Sequence, residues 1–273
     1  MTNIPNPSLD RRSLLRNGGI MLSFGAIVAA CGGGRSGSDD PGRLGVAAPA
    51  PTLPDAELND GVLLRTAQSL EYTAIAVYDA AAGLDVLSGS EVALVERFVS
   101  DHQRHAADLG ALAQRAGAEE FTCPNPFIMD RAVVPVLGAL EDSDDLHRDV
   151  LNIAYAFEAL AGASYQALVG VLDDKSLRTT SMLIGSEEHR HAAILATAIN
   201  PDVLINPVLL GGASAAADTD DEGFPIPYAI PATFGQLTGI ELVVGARNEE
   251  GARFSTQLQT PADNTFVYDY LSC

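Results

Sequence analysis

The chain has 273 residues, enough for one core of about 150–200 residues with additional segments. Hydrophobic residues make up 47 % of it, a proportion that argues against global disorder and predicts a packed domain. The formal net charge is −20, from 36 acidic and 16 basic side chains, which argues against nucleic-acid binding because few cations are present to neutralise phosphates.

The first thirty residues have the features of an export signal. Arg11 and Arg12 precede an apolar run over residues 18–30. This run is shorter than the roughly 20 residues that a membrane-spanning helix needs. A basic start, a short apolar core and small residues before a cleavage point are typical of a secretory signal, and the paired arginines resemble the twin-arginine type. We therefore expect residues 1–30 to direct export.

The end of this segment predicts a lipid anchor. The sequence Val28-Ala29-Ala30-Cys31 resembles a bacterial lipoprotein cleavage site, in which Cys31 would carry the lipid. Residues 31–56 are rich in Gly, Ser, Pro and Ala and predict a flexible tether. An ordinary secretory signal with an unrelated cysteine is the alternative. The first interpretation anchors the protein at the outer face of the cytoplasmic membrane, or in the periplasm or cell envelope.

Residues 57–200 predict a domain of four long helices. In four segments, about 56–84, 91–116, 144–172 and 176–199, apolar residues recur at alternating spacings of three and four. Short turns join the first segment to the second and the third to the fourth. Residues 117–143 form a much longer connection between the second and the third. Two antiparallel hairpins with one long crossover are therefore expected.

Each of the four apolar stripes carries polar side chains near its middle that can bind a metal. The first and third segments contribute one Glu each, the second contributes two His, and the fourth contributes a Glu and a His. A buried charge is very costly unless it is paired, so these side chains must meet one another or a metal ion. The candidate metal ligands are Glu71, His102, His105, Glu158, Glu188 and His191.

This order of residues resembles the ferritin-like superfamily, and more narrowly the exported bacterial ferritin-like domain proteins with twin-arginine lipoprotein signals. In the family pattern two helices supply a single Glu and two supply Glu-x-x-His. Glu71 and Glu158 match the single Glu, and Glu188 with His191 matches one pair. The resemblance implies an all-α fold, a ferritin-like four-helix bundle with a long crossover between helices two and three. It also implies a bound metal, iron or manganese.

The second segment departs from that pattern. His102-Gln103-Arg104-His105 stands where Glu-x-x-His is expected, and Asp101 beside it lies about 100° around the helix, off the predicted stripe. The inward set then has three carboxylates and three imidazoles. This weakens the case for oxygen-activating di-iron chemistry, and it makes one metal, or a pair with one weak site, compatible with the sequence. Zinc or copper would also suit the imidazoles.

A network of hydrogen bonds without a metal is the main alternative. The three Glu could pair with the three His, and Tyr78 and Tyr165 could complete the network. Glu187 and His189 point off the stripe and are expected beside the site or at the surface, and His147 is expected in solvent. No nucleophile turn, phosphate-binding loop or Cys-x-x-Cys spacing is present, so no catalytic residue is assigned.

Residues 201–273 predict an extension that contains a short β-hairpin and packs on the bundle. The hairpin strands are Ile240–Val244 and Phe254–Leu258, and the aromatic end Phe266–Cys273 is expected against the helices. Cys123 and Cys273 are the cysteines that remain besides Cys31. An oxidising compartment favours their pairing, and we predict a disulfide between them.

The function that we expect is that of an exported, lipid-anchored ferritin-like protein with a metal in its bundle. If the metal is redox-active, the resemblance implies ferroxidase or peroxide-related activity. The alternative, from another class, is a non-catalytic envelope or stress-protection protein that keeps the fold without a metal. A homodimer is compatible with this organisation, whereas a closed storage cage would be crowded by the two terminal segments.

Overall fold

The computed structural model describes residues 57–207, 219–231, 240–258 and 265–273. The predicted signal peptide, the tether and Cys31 lie outside these residues. Among the described residues, no helix combines the length and the apolar character needed to cross a membrane.

Four long helices form the body of the molecule, as predicted. They are α1 (Asp60–Ala82), α2 (Gly89–Arg115), α3 (Leu146–Val171) and α4 (Lys175–Ile199). Three of them begin at a side chain that accepts a hydrogen bond from a free backbone N–H of the first turn, namely Asn59, Asp145 and Asp174. At the start of α2, Glu91 accepts a hydrogen bond from the backbone N–H of Ser88 at 2.7 Å. Local sequence therefore sets where the helices begin.

The long connection contains a helical segment, which we call the crossover helix. It consists of Pro126–Ile128, a π-helical turn Met129–Val133 and Val134–Ala139. Asn125 begins this helix and anchors it, because its buried amide donates to Ser69 Oγ on α1 at 2.9 Å and to the carbonyl of Thr265 at 3.0 Å. The crossover helix thereby lies along one side of the bundle.

Three apolar clusters make up the core. One cluster, near the start of α1, includes Leu64, Leu109, Tyr165 and Ile184, one residue from each long helix. A second cluster at the other end includes Tyr78, Phe98, Leu151 and Leu195. Helices α1 and α4 run from the first cluster to the second, whereas α2 and α3 run from the second to the first. The two pairs are therefore antiparallel to each other. The six candidate ligands lie between the two clusters along every helix.

The third cluster joins α1 and α3 to the crossover helix and to the β-hairpin. Strands β1 (Ile240–Val244) and β2 (Phe254–Leu258) pair antiparallel with Ile240 opposite Leu258, as predicted. Gly245, at φ 82°, follows β1 and approaches the crossover helix so closely that a Cβ would lie 2.7 Å from the carbonyl oxygen of Ala139. The hairpin therefore covers one face of the bundle.

The end of the chain packs on the bundle, and two features hold it there. The buried Arg65 side chain on α1 donates to the carbonyl groups of Val267, Tyr268 and Leu271, and also to that of Glu119. The predicted disulfide between Cys123 and Cys273 is present, with a Cα–Cα distance of 5.9 Å. The tail is thereby tied to both α1 and the long connection.

Candidate metal centre

The structure brings all six predicted ligands into one buried layer. Each of these side chains belongs to a residue that is at most 4 % exposed. Each long helix contributes its candidate ligands from the middle of its predicted stripe, because each helix runs through that level of the bundle. The layer has the composition expected, with three carboxylates and three imidazoles.

Glu71 on α1 faces both histidines of α2. Its Oε2 lies 2.7 Å from Nδ1 of His102 and 3.6 Å from Nδ1 of His105. Its Oε1 accepts a hydrogen bond from the hydroxyl of Tyr165 on α3. Burial raises the pKa of Glu71, but the hydrogen bonds and charges of the two histidines outweigh it and lower the pKa to about 2. The carboxylate is therefore ionised.

Glu158 on α3 joins α2 to α4. Its Oε1 lies 3.1 Å from Nε2 of His102 and accepts a hydrogen bond from the hydroxyl of Tyr78 at 2.5 Å. Its Oε2 lies 3.3 Å from Nδ1 of His191. Burial raises the pKa of Glu158, but the charge of His102 and the hydrogen bonds of both histidines lower it overall. The tyrosine contacts that the metal-free alternative requires are thus present at Glu158 and Glu71.

Glu188 on α4 occupies the middle of the layer and is completely buried. Its Oε1 lies 2.7 Å from Nδ1 of His105, and its Oε2 lies 3.2 Å from Nδ1 of His191. Neither oxygen is aligned for a hydrogen bond, and the same is true of Nδ1 of His105. Burial and the charges of Glu71 and Glu158 raise the pKa of Glu188 to about 7. This carboxylate is the least satisfied polar group of the layer.

Among the described residues, three overlapping groups of donor atoms could each hold a metal ion, and within each group the atoms lie within 4.8 Å of one another. One group, Asp101, Glu187 and His191, lies at the outer edge, and two groups of four belong to the inner layer. His102 and Glu188 belong to both inner groups. The first inner group is Glu71, His102, His105 and Glu188, and the second is His102, Glu158, Glu188 and His191. Both oxygens of Glu188 and Nδ1 of His105 are buried and have no aligned hydrogen bond, and a metal ion would satisfy them, so these residues fit a metal.

The three histidines differ in how their ring nitrogens are directed. Both nitrogens of His102 face inner carboxylates, Nδ1 towards Glu71 and Nε2 towards Glu158. His105 and His191 direct Nδ1 into the layer and Nε2 outwards, towards Glu187 and Asp101 respectively. Contact with carboxylates raises the pKa of all three against the effect of burial, to about 10 for His105 and about 9 for His191. Without a metal, the imidazoles are therefore protonated near neutral pH.

Asp101 lies off the inward stripe, as its angle on α2 predicts, but it is buried, at 2 % exposure. Its Oδ2 lies 3.3 Å from Nε2 of His191, on the outer side of that ring. The flank of α2 that carries Asp101 faces α4, because the two helices are neighbours in the bundle. Arg97 and Arg104 each donate to one oxygen of Asp101 at 2.7 Å. Arginines four residues before and three after an Asp are the sequence signal for such a buried carboxylate.

Asp101 and Glu187 form an outer layer behind the two histidines. Glu187 Oε2 lies 3.0 Å from Nε2 of His105 and accepts a hydrogen bond from Arg104 at 2.7 Å. Burial raises the pKa of Asp101, but the hydrogen bonds of its two arginines lower it to about 2. A carboxylate that accepts from the outer nitrogen of a histidine fixes the orientation of the ring and directs the other nitrogen inwards.

The remaining histidines lie outside the layer. His189 is half-buried and packs against Gly162 of α3, where a Cβ would lie 2.7 Å from its ring. His147 is exposed and lies 3.0 Å from Glu91. Both positions agree with the expectation that these side chains do not belong to the inner set.

The fold and the site define a helical-bundle protein with a buried Glu/His layer that could bind a metal. Residues 59–201, which are more than half of the chain, match the family model of the ferritin-like domain. The chain belongs to the ferritin-like domain family. No curated protein and no solved structure gives a significant match.

Proposed function

We propose that this protein binds a metal ion, or a pair of metal ions, within the Glu/His layer. The observation that carries the proposal is Glu188, whose two oxygens are buried and make no aligned hydrogen bond. A structural carboxylate at 0 % exposure would be expected to have its lone pairs satisfied. The position of Glu188 between both ligand groups gives it the role of a shared ligand.

The inner residues would divide between two metal positions. Glu71 and His105 would serve one position, and Glu158 and His191 would serve the other. Glu188 lies between the two positions. His102 faces both, so its nitrogens limit how two ions could be bound at once. The arrangement therefore supports a mononuclear site as well as a dinuclear site.

Iron or manganese is the metal that we favour, because carboxylates suit these ions and the family resemblance implies them, although imidazoles would also accept zinc or copper. A redox-active metal would supply oxidation and reduction, which is the basis of ferroxidase or peroxide-related activity. The protein itself excludes water with its two apolar clusters. Tyr78 and Tyr165 hold Glu158 and Glu71 in place through their hydroxyl groups.

The metal proposal is tested by elemental analysis. The mature chain is purified without metal, reconstituted anaerobically with Fe²⁺ or Mn²⁺, and desalted. We expect stoichiometric metal in the wild type and little in the variant Glu158→Ala/Glu188→Ala. The control Glu96→Ala/Glu141→Ala removes two exposed carboxylates and should bind as the wild type does. Absence of stoichiometric metal from the reconstituted wild type would exclude the proposal.

A metal-free envelope or stress-protection protein is the second candidate. The observation that favours it is the pairing of His102, because both of its nitrogens already lie at hydrogen-bond distance from carboxylates. Three carboxylates and three protonated imidazoles also balance one another in charge. This candidate predicts that the wild type stays metal-free after reconstitution.

We further propose that the protein is exported and anchored by a lipid at Cys31. The paired arginines and the Val28–Cys31 sequence support this, as does a disulfide, which suits an oxidising compartment. The test is fractionation of cells that express the full chain. Cys31→Ser should move the protein from the membrane fraction to the soluble fraction, whereas Cys123→Ser should stay with the membrane.

A further inference from the structure

A surface cavity of about 420 Å³ lies between α2 and α4. We call it the vestibule and define it by its polar lining, which is Arg104, His105, Asp108, Arg115, Thr180 and Glu187. One of these residues, His105, is also a member of the inner layer. The vestibule therefore brings solvent to the outer edge of a proposed metal ligand.

The other approaches to the layer are covered by apolar side chains in the described part of the chain. Along the bundle axis, one cluster with Tyr165 and another with Tyr78 close the two ends. The third cluster packs the crossover helix and the hairpin onto α1 and α3. A hydrated cation would pay a large desolvation cost on these routes. Between α2 and α4 the lining is mixed, with six polar residues beside the apolar Ala111, Leu112, Leu183 and Ile184, and the polar side chains lead to His105.

Exposure falls step by step from the vestibule to the layer. The side chain of Arg104 is 47 % exposed, that of Glu187 is 22 %, that of His105 is 2 % and that of Glu188 is 0 %. Glu187 Oε2 lies 3.0 Å from Nε2 of His105, and Nδ1 of His105 lies 2.7 Å from Glu188 Oε1. An ion that moves inwards meets a new oxygen or nitrogen ligand every few ångströms.

Arg104 occupies the position that an entering cation would need. Its two terminal nitrogens donate to Asp101 and to Glu187, each at 2.7 Å. The guanidinium of Arg104 thus bridges the two outer carboxylates, and Arg97 is a second cation beside them, 2.7 Å from Asp101 and 3.9 Å from Glu187. The side chain of Arg104 is 47 % exposed, so its guanidinium can move into solvent and remain hydrated. A divalent cation at Glu187 would replace its charge.

We propose that the vestibule is the route by which a divalent cation enters the layer, and that Arg104 closes it until the cation takes its place at Glu187. The proposal rests on the proposed metal binding. The net charge of −20 favours the arrival of cations, and Asp108 and Glu187 offer oxygen ligands at the vestibule, where Arg104 and Arg115 balance their charge.

The test measures the rate of metal uptake rather than activity. Metal-free protein is mixed rapidly with Co²⁺ and binding is followed by visible absorption, while equilibrium dialysis gives the final stoichiometry. Arg104→Gln removes the closing charge and should raise the uptake rate on the order of tenfold. Thr180→Trp fills the vestibule and should lower the rate by a similar factor. Lys175→Gln, which removes an exposed charge elsewhere, should change nothing.

The final stoichiometry separates the two proposals. Uptake by Arg104→Gln and Thr180→Trp at the wild-type rate, with normal stoichiometry, would overturn the vestibule and leave the metal site standing. Slower uptake by Arg104→Gln would overturn its role as the closing residue. Absence of Co²⁺ from the wild type at equilibrium would overturn both proposals. Asp108→Asn provides a milder variant if Thr180→Trp does not fold, and its uptake should be slower by a few fold.

Discussion

Replacing Glu188 by Gln should stabilise the metal-free protein at pH 8. The substitution keeps the shape of the side chain and removes its charge. Glu188 is fully buried beside the ionised Glu71 and Glu158, and its pKa rises from the ordinary value of 4.5 to about 7. Above pH 7 this carboxylate is ionised in a place that disfavours its charge, so the folded state carries a cost that the unfolded state does not.

The size of the effect follows from the shift in pKa. A raised pKa means that the contribution of Glu188 is fully present below pH 4.5 and is lost as the pH rises through 7. At about 1.4 kcal/mol for each pH unit, the loss amounts to roughly 3 kcal/mol at pH 8. The amide introduced by the substitution is buried with incomplete hydrogen bonds, which lowers the free energy of unfolding by about 1 kcal/mol at every pH. The variant should therefore be about 2 kcal/mol more stable than the wild type at pH 8 and about 1 kcal/mol less stable at pH 4, a change of about 3 kcal/mol between the two.

The assay is equilibrium unfolding in urea of chelator-treated protein, with the disulfide intact, at several pH values between 4 and 8. The difference in free energy of unfolding between Glu188→Gln and the wild type should grow with pH. The control Glu141→Gln, at an exposed position, should show no such growth. A difference that does not depend on pH, or a variant whose stability relative to the wild type falls from pH 4 to pH 8, would refute the reasoning.

Three other predictions concern the frame of the bundle. Gly185→Ala places a Cβ 2.7 Å from that of Tyr165 and should lower the free energy of unfolding by about 1–3 kcal/mol in the same urea assay. Its control, Gly170→Ala, places a Cβ with no atom within 4 Å and should raise the free energy of unfolding by about 0.5–1 kcal/mol. Arg65→Met leaves the carbonyls of the tail without a buried donor and should cost about 3 kcal/mol, with faster proteolysis of the last residues. Cys273→Ser opens a disulfide between residues 150 apart and should lower the thermal midpoint through a loss of up to roughly 5 kcal/mol; an unchanged midpoint would contradict it.

The helices and the hairpin could be predicted because their signals are local. Alternating spacings of three and four marked the inward face of each helix, and capping residues such as Asp174 marked where α4 begins. The strands of the hairpin, Ile240–Val244 and Phe254–Leu258, were bounded by polar and glycine residues and have the limits that the sequence predicted. Such patterns need no knowledge of distant parts of the chain.

Contacts between distant segments were harder to predict. Asp101 was assigned from its angle on a single helix, but its burial depends on which helix lies beside it. Arg65 carries no sequence signal for its partners, since Val267 lies 202 residues further along the chain. The order of polar residues brought the six inner residues together, and the angle of Glu187 on its helix placed it beside the site or at the surface, yet neither indicated that Asp101 is buried behind His191. A periodic pattern describes one element, whereas a site depends on how elements face each other.

His102 stands where the family pattern has a Glu, and this difference changes the charge balance of the layer when no metal is bound. Three imidazoles balance three carboxylates, and the raised pKa values of His105 and His191 stabilise the fold below their ordinary value of 6.5 and lose that effect as the pH rises through about 9–10. A metal ion must displace these same protons before it can bind the nitrogens. Between pH 7 and 10, the metal-free fold therefore weakens while the competition of protons for the ligands declines. Over this range the stability of the metal-free protein should fall while its affinity for metal rises. A purely structural network would show only the fall in stability.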